Sequence, residues 1–258
     1  MKTRFFPLLI LTPFFAAAQK KDSLKNSIGV QYNYQHFDPQ NATDWHMTGI
    51  DYTQKTNSAV YTGRLNYASR FQQTGWQVEG ESYLTLSRKL YVYTGLGYSN
   101  QVPVFPKWRS GVSLFASLPA SWEAEGGVRY LYFDKSVFVG TAGLSKYLGS
   151  WLLNVRSFAS FAHNLNDPSF FLSARKYLKN EKDYLWVQVG SGISPDESRN
   201  VQFGNEQFFS SRIASLGVRK SLTQNLAGTL SGSWSREEYA EKLWGNRLNA
   251  FIRLERYF

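Results

Sequence analysis

The last residues of the chain, L-N-A-F-I-R-L-E-R-Y-F (248–258), alternate apolar and polar side chains and stop at an aromatic residue. A period of two residues is typical of a β-strand with one apolar face. A terminal segment usually frays, because nothing there offsets the lost chain entropy. The pattern therefore predicts the closing strand of a β-barrel. Its apolar face comprises Leu248, Ala250, Ile252, Leu254 and Phe258, with Arg256 as the one exception, and its polar face comprises Arg247, Asn249, Arg253 and Glu255.

The other end of the chain has the pattern of a secretory signal. Lys2 and Arg4 precede the apolar run F-F-P-L-L-I-L-T-P-F-F (5–15), and three alanines follow it. A membrane-spanning helix needs roughly 20 apolar residues, and this shorter run contains two prolines. We predict a signal peptide over 1–18, cleaved after Ala18, then a short periplasmic segment over 19–26 and a barrel over 27–258. The absence of cysteine excludes an N-terminal lipid anchor on cysteine, disulfides and thiolate metal sites.

Alternation of this kind recurs along the whole chain, with turn residues between the segments. It is clear in N-S-I-G-V-Q-Y-N-Y-Q (26–35) and ambiguous in 136–148, where both parities carry apolar residues. It is weakest in the twelfth and thirteenth segments, so a count of twelve strands stays open. The pattern predicts an all-β antiparallel transmembrane barrel of about fourteen strands, near 27–37, 44–54, 58–70, 74–85, 89–98, 108–117, 122–133, 136–148, 150–162, 169–178, 183–193, 208–220, 225–238 and 245–258.

The connections between these segments differ at the two ends of the barrel. Those at one end are short, as in K-T-N (55–57) and G-S (149–150). Several at the other end are longer, among them S-N-Q-V-P-V-F-P (99–106) and S-P-D-E-S-R-N-V-Q-F-G-N-E-Q (194–207). Bacterial barrels have short periplasmic turns and longer extracellular loops, an asymmetry that a secreted β-sandwich would not need.

Aromatic residues cluster near the predicted strand ends, where barrels carry girdles at the two membrane interfaces. The closing Phe258 is predicted to complete the seam between the last and first strands and to act as an assembly signal for the barrel-assembly machinery. The chain has 16 tyrosines and 8 tryptophans, and the predicted girdle includes Trp45, Trp108, Trp122, Trp151, Tyr177 and Tyr184.

Several runs resemble the YaiO family of outer-membrane β-barrel proteins over nearly the whole mature chain. They are L-P-A-S-W-E-A-E-G-G-V-R-Y-L-Y-F (118–133), R-L-N-Y-A-S-R (64–70), Q-V-E-G-E-S-Y (77–83), V-F-P (104–106), R-K-Y-L (175–178) and Y-N-Y (32–34). The resemblance implies an outer-membrane barrel. Longer members carry tetratricopeptide repeats before the barrel, where this chain has only residues 19–26. The family supplies no activity to transfer, and a looser similarity to exopolysaccharide exporters implies a role in envelope transport.

The polar parity places many charged side chains in the lumen. A tight turn at 71–73 would set Arg64 beside Glu79 and Glu81. Such pairs either brace the wall of a filled barrel or form a charged constriction that selects solutes by sign. The predicted lumen cluster is Arg64, Arg70, Glu79, Glu81, Arg109, Glu123, Glu125, Arg129, Arg156, Arg175 and Arg253, with Arg247 and Glu255 on the same parity.

The charge balance favours anionic partners. Removing Lys2 and Arg4 from 29 basic residues leaves 27, against 19 acidic residues, so the mature net charge is +8. This excess favours anionic solutes, polysaccharides or anionic lipid headgroups of the outer membrane. Nucleic acid is a poor candidate, because the basic residues are dispersed through every strand. The chain is expected to act as a monomer.

Catalysis has weak support in the sequence. His36 lies near Asp38, and His163 lies near Asn164 and Asp167, so either could activate a serine such as Ser169. No phosphate-binding loop or metal-binding motif is present, and we expect no cofactor and no metal. The sequence predicts a channel or export component first, a structural or surface-interaction barrel with a plugged lumen second, and a lipid-modifying enzyme third. The first of these, which is not an enzyme, is the preferred interpretation.

Overall fold

The computed structural model describes residues 25–38, 43–161, 168–195, 211–240 and 242–258. They form a closed barrel in which every strand pairs antiparallel with its neighbours in sequence. The predicted signal peptide lies outside the described residues. The strands are β1 (Asn26–Asp38), β2 (Trp45–Lys55), β3 (Ala59–Arg70), β4 (Gln73–Thr85), β5 (Leu90–Ser99), β6 (Trp108–Leu118), β7 (Trp122–Tyr132), β8 (Ser136–Leu148), β9 (Trp151–Ser160), β10 (Ser169–Tyr177), β11 (Tyr184–Ser191), β12 (Ser211–Ser221), β13 (Leu226–Ala240) and β14 (Leu243–Tyr257).

The first and last strands complete the circle. β14 pairs with β1 from Ser27 opposite Tyr257 to Asp38 opposite Asn246. The amide of Asn26 donates to the carbonyl of Phe258 at 3.1 Å, and the amide of Phe258 donates to the carbonyl of Asn26 at 3.0 Å. The seam therefore extends to the last residue, which confirms the prediction of a closing strand. A closed sheet leaves no strand edge whose backbone groups would face lipid unpaired.

The two faces of each strand differ in the way the alternation predicts. Apolar side chains such as Val30, Leu65 and Ile252 are about half exposed on the outside. Polar side chains such as Gln35 and Asp51 are buried inside. The outer face of a membrane barrel contacts lipid, so exposed apolar side chains outside and buried polar side chains inside are the pattern expected of such a barrel. Over the described ranges, the structure contains no helix long and apolar enough to cross a bilayer.

Strand β8, whose parity was ambiguous, carries apolar residues on both faces for two different reasons. Phe138 and Leu144 face outward and are exposed, whereas Val137 and Val139 face inward and are buried. The inward pair belongs to an apolar cluster at one mouth of the barrel. Alternation could not identify the lipid-facing parity here, because the interior is also apolar.

The connections define two rims. The short-turn rim comprises 56–58, 86–89, 119–121, 149–150, 178–183 and 222–225, and the start of β1 at Asn26 and the last residue, Phe258, lie there. The opposite rim, called the long-loop rim, contains the longer connections 39–44, 100–107, 161–168 and 192–210, but also tight turns. One of these joins β3 to β4 through Phe71 and Gln72, both with positive φ (54° and 59°). This geometry is that of a two-residue hairpin turn, so the register that it fixes is well defined.

The aromatic girdle holds for part of the predicted set. Trp108, Trp122 and Trp151 face outward and are 39–52% exposed. At the short-turn rim, Lys146 Nζ lies 4.8 Å from the Trp122 ring and Lys176 Nζ lies 4.9 Å from the Trp151 ring. The prediction was wrong for three residues, because position near a strand end does not fix the face. Those that point inward are Trp45, Tyr177 and Tyr184.

Candidate functional site: the barrel interior

An apolar cluster fills the barrel at the long-loop rim. We call it the apolar cap, and each of its members is at most 8% exposed. Its side chains come from the long-loop ends of strands around the circumference, so they meet across the lumen instead of lining one wall. The Phe37 and Trp45 rings, on the neighbouring strands β1 and β2, pack edge to face at 4.7 Å. The members are Phe37, Trp45, Leu131, Phe133, Val137, Val139, Phe158, Phe171, Ile193 and Ile213.

The connection between β5 and β6 folds into the same mouth. In this cap loop (residues 100–107), Val104 and Phe105 are buried beside Ala68, and Val102 packs against the apolar cap. Ser99 Oγ donates to the carbonyl of Pro106 at 2.9 Å. A Cβ added to Gly75 on β4 would lie 2.9 Å from Gln101 Cβ and 3.2 Å from Val104 Cβ. The glycine therefore provides the space that the cap loop occupies.

Arg70 lies beneath the cap loop at the end of β3, and its residue exposure is 2%. Its Nη1 donates to the carbonyl of Val104 at 3.2 Å, and its Nη2 contacts Met47 Sδ at 3.5 Å. The guanidinium lies 5.4 Å from the Trp45 ring and 5.3 Å from the Phe105 ring. The structure thus places Arg70 in the lumen, as predicted, but within the described ranges it forms no ion pair with the predicted carboxylates.

Four predicted residues meet in the middle of the lumen wall. Arg64 lies opposite Glu79 in the β3–β4 register. The Glu79 carboxylate accepts from Arg64 Nη1 at 3.2 Å, from Arg109 Nη1 at 2.5 Å and from Asn66 Nδ2 at 3.0 Å. Glu81 lies 3.8 Å from Arg64 Nη2. The predicted juxtaposition of Arg64 with both glutamates is therefore confirmed, and Arg109 joins it from β6.

A second group lies on β7 and β9. The Glu125 carboxylate accepts from Arg156 at 2.8 Å and 2.5 Å and from Ser113 Oγ at 3.0 Å. Arg129 Nη2 lies 3.8 Å from the same carboxylate, and Arg129 Nη1 donates to Ser113 Oγ at 2.9 Å. Two arginines thus compensate one buried carboxylate. The ion pair of Glu125 with Arg156 joins β7 to β9, which are not adjacent in the sheet.

Three residues that sequence analysis missed complete the ion pairs. Asp51 is bonded to Arg253, Arg219 to Glu255, and Glu237 to Arg247. The parity of β2 contained the signal for Asp51, because it shares a face with Gly49 and Thr53. Arg219 and Glu237 lie on the twelfth and thirteenth strands, where the alternation was too weak to assign a face.

Glu123 and Arg175 lie toward the short-turn rim among inward tyrosines. We call this set the tyrosine ring. The Glu123 carboxylate is hydrogen-bonded with the Tyr91 hydroxyl. Arg175 lies 4.4 Å from the Tyr184 ring and donates to the Tyr177 hydroxyl at 3.3 Å. The ring comprises Tyr83, Tyr91, Tyr147, Tyr177, Tyr184 and Tyr257, each within two residues of its strand end.

The candidate catalytic histidines do not meet a serine in the described structure. His36 faces outward, and its Nδ1 lies 2.9 Å from Asp44 Oδ1 instead of pairing with Asp38. Ser169 faces inward, where its Oγ accepts from the amide of Ile193 at 2.9 Å. His163, Asn164 and Asp167 lie outside the described residues. Within the described ranges, no group of three or more His, Cys, Asp or Glu side chains could hold a metal ion.

The surroundings of Asp44 perturb its acidity outside the membrane-spanning strands. The Tyr34 hydroxyl donates to Asp44 Oδ2 at 2.5 Å. This hydrogen bond, and then the bond with His36, hold the pKa of Asp44 below its ordinary value. The cluster faces outward at the long-loop rim and is separate from the interior.

Comparison with known proteins identifies the barrel. The profile of the YaiO membrane beta barrel domain matches residues 25–197. No curated protein matches the chain. Among solved structures, Omp33 of Acinetobacter baumannii is similar at a TM-score of 0.54 with 11% identity, over 91% of this chain and 99% of that one. The CymD monoaromatic hydrocarbon channel gives 0.60 with 7% identity, over 91% and 89%. A bacterial polysaccharide outer membrane secretin gives 0.55 with 8% identity, over 91% and 98%. At these identities the structures share the fold alone.

Proposed function

The chain belongs to the YaiO membrane beta barrel family, and we propose that this outer-membrane barrel is a gated channel, closed at the long-loop rim by the cap loop. The observation that supports this is the contrast between the mouth and the lumen beneath it. The mouth is apolar and buried, whereas Arg64, Glu81 and Arg109 keep 12–17% side-chain exposure. A loop that covers a charged, partly hydrated interior is suited to control the entry of charged solutes.

The solute class that we propose is anionic, either a small anion or an anionic polysaccharide. Burying charges is costly unless they are paired, so an excess of one sign in the lumen favours the opposite sign in a solute. The inner face of the described strands carries nine arginines and seven carboxylates. These are Arg64, Arg70, Arg109, Arg129, Arg156, Arg175, Arg219, Arg247 and Arg253, and Asp51, Glu79, Glu81, Glu123, Glu125, Glu237 and Glu255.

In this role the protein needs no catalytic residue, and we propose that it is not an enzyme. We also propose that it works as a monomer, that it is delivered by a cleaved signal peptide and inserted by the barrel-assembly machinery, and that its partners in the membrane are lipids. The exposed apolar belt around the single closed sheet supports contact with lipid on all sides.

A structural barrel with a permanently filled lumen is the second candidate, and the geometry of the ion pairs favours it. Asp51 on β2 pairs with Arg253 on β14, and Glu79 on β4 pairs with Arg109 on β6. Bonds between strands that are not adjacent brace the wall of a barrel. Such bracing would be sufficient reason to retain charges in the interior.

Planar-bilayer recording of the purified barrel tests the gate. Gly75→Leu should displace the cap loop, because the added side chain needs the space of Gln101 and Val104. Deletion of 101–106 should remove the part of the obstruction that the cap loop forms beside the apolar cap. We expect both variants to conduct steadily and with anion preference, while the wild type conducts only in rare events.

The matched control is Gly80→Leu on the same strand, because a Cβ there meets nothing within 4 Å. It should behave as the wild type does. In the Gly75→Leu background, Arg64→Ala should shift the reversal potential toward cations, and Glu79→Gln with Glu81→Gln should shift it toward anions. A deletion variant that assembles but passes no current would refute the gate and support the filled barrel.

A further inference from the structure

We propose that Arg70 is a binding site for an oxyanion, a carboxylate or phosphate group, and that occupation of this site releases the cap loop. The inference rests on the proposed gate, since it assigns the chemical signal that would open it. The starting observation is that Arg70 is a buried cation that pairs with no carboxylate among the residues the structure describes.

The other inward arginines show how unusual this is. Seven of them lie no more than 3.8 Å from a carboxylate, namely Arg64, Arg109, Arg129, Arg156, Arg219, Arg247 and Arg253. No carboxylate of the described residues forms such a pair with Arg70. The charged group that acts on it is another cation, Arg247, which is itself bonded to Glu237. A buried charge is costly when no opposite charge compensates it. An anion that binds Arg70 should therefore gain more binding free energy than one that binds an arginine already paired with a carboxylate.

The hydrogen bonds of Arg70 leave one edge of the guanidinium for a ligand. Nη1 donates to the carbonyl of Val104, and Nη2 makes a weak contact with Met47 Sδ at 3.5 Å. Nε is buried and has no hydrogen-bond partner within the described part of the chain. Carboxylates and phosphates bind guanidinium groups through two parallel hydrogen bonds, and the Nε and Nη2 edge presents such a pair of donors.

The same side chain holds the cap loop, which links binding to opening. Arg70 contacts the loop through the Val104 carbonyl and through the Phe105 ring at 5.3 Å. An oxyanion is a stronger acceptor for a guanidinium than a neutral carbonyl. An anion on the Nε and Nη2 edge compensates the charge that draws the guanidinium to the Val104 carbonyl and the Phe105 ring, and so weakens both contacts. The Trp45 ring, 5.4 Å from the guanidinium, belongs to the apolar cap and is expected to stay in place.

Amide hydrogen exchange of the four cap-loop residues Gln101, Val102, Val104 and Phe105 tests the site without recording current. The purified barrel in detergent is titrated with sodium phosphate or sodium acetate against sodium chloride at constant ionic strength. We expect exchange in the cap loop to rise saturably by about tenfold with either oxyanion, which corresponds to about 1.4 kcal/mol, the scale of one hydrogen bond to a charged group. The turn 222–225 should not respond.

Two variants separate the site from general anion effects. Arg70→Met keeps the apolar stem but removes the donors, so cap-loop exchange should be fast already in chloride and should not respond to oxyanions. Arg88→Met removes an exposed cation in the turn between β4 and β5 and should keep the full response. A response in Arg70→Met equal to that of the wild type would overturn the site.

The site and the gate can fail separately. If Gly75→Leu conducts but the wild type shows no oxyanion response, the gate stands and the Arg70 site is wrong. If the oxyanion response is present but deletion of 101–106 passes no current, the site stands and the channel is wrong.

Discussion

Glu79→Gln tests whether the most deeply buried charge of the central ion-pair group is shielded from the water of the lumen. The Glu79 carboxylate accepts three hydrogen bonds, from Arg64, Asn66 and Arg109, and its side chain is 3% exposed. The substitution keeps the shape and removes the charge. Arg64 then retains only the longer contact with Glu81 at 3.8 Å, and Arg109 loses its bond to this carboxylate.

The magnitude follows from burial. Removing one partner of a buried, hydrogen-bonded ion pair costs about 3–5 kcal/mol, because the other charge is left uncompensated. Glu81→Gln is the matched control, on the same strand and face. The Glu81 side chain is 12% exposed, 3.8 Å from Arg64, and accepts one hydrogen bond from Tyr93 at 3.3 Å. Its loss should cost about 1 kcal/mol.

Urea unfolding in phospholipid vesicles, followed by tryptophan fluorescence, measures both values. If the water and salt of the lumen screened Glu79 and Glu81 alike, each substitution would lower the free energy of unfolding by less than about 1 kcal/mol. A free energy of unfolding for Glu79→Gln within about 0.5 kcal/mol of that for Glu81→Gln would refute the buried network. Circular dichroism of both variants provides the check that the barrel has formed.

Three further measurements test the ends and rims of the barrel. Phe258→Ala should reduce assembly into the outer membrane and leave more protease-sensitive protein in the periplasm, because it removes the terminal aromatic ring that is the predicted assembly signal and that lies 6.4 Å from the Tyr52 ring. Phe258→Tyr keeps an aromatic ring and should assemble normally, and equal membrane yields for Phe258→Ala and the wild type would count against the assembly signal. A cysteine replacing Asn200 should react with an impermeant maleimide on intact cells, whereas one replacing Thr223 should not. Equal labelling of the two cysteines would contradict the assigned orientation. The pKa of Asp44, measured by NMR, should lie below its ordinary value. The hydrogen bond of the Asp44 carboxylate with Tyr34 should therefore persist above this lowered pKa and be lost as the pH falls through it. Tyr34→Phe should raise the pKa of Asp44, and an unchanged value would show that the Tyr34 hydrogen bond is not its main cause.

The fold could be predicted because a membrane barrel repeats one rule at every strand. Lipid requires apolar residues at the outward-facing positions of each strand, and the lumen tolerates polar residues at the inward-facing positions. The alternation within a strand therefore shows which of its faces points outward. The closing strand shows this most clearly: Ile252 and Leu254 face lipid, Arg253 and Glu255 face the lumen, and the exception Arg256 faces outward at the short-turn rim. The rule fails where the lumen itself is apolar, as at Val137 and Val139 of β8.

The charge network could be predicted in part for the same reason. Hairpin register follows from a short turn, and the turn at Phe71 and Gln72 set Arg64 against Glu79 as expected. Pairs between strands that are not adjacent, such as Asp51 with Arg253, depend on side-chain reach across a curved wall. Parity contains no information on that reach.

The cap loop lay beyond sequence reasoning because nothing local decides whether a loop folds over a mouth or away from it. V-P-V-F-P (102–106) is apolar for a loop, which indicates burial somewhere. Its place in the lumen depends on Gly75 of the adjacent strand β4, where an absent side chain leaves room for Gln101 and Val104. This complementarity is visible only after the strands are set in register.

The kind of cation in the interior separates bracing from gating. The lysines of the membrane-facing wall, such as Lys146 and Lys176, lie at the rim over tryptophan rings, where a compact ammonium group keeps its water. The paired cations inside are arginines, because a guanidinium offers several fixed donors and can satisfy a carboxylate in dry surroundings. Once a carboxylate occupies those donors, as Glu125 does for Arg156, the arginine is a fixed part of the wall and has little to offer a solute. Arg70 instead donates from one nitrogen to a neutral loop carbonyl and, among the described residues, pairs with no carboxylate, so an anion can still bind it. The charge suited to respond to a solute is therefore the one placed under the loop that closes the mouth.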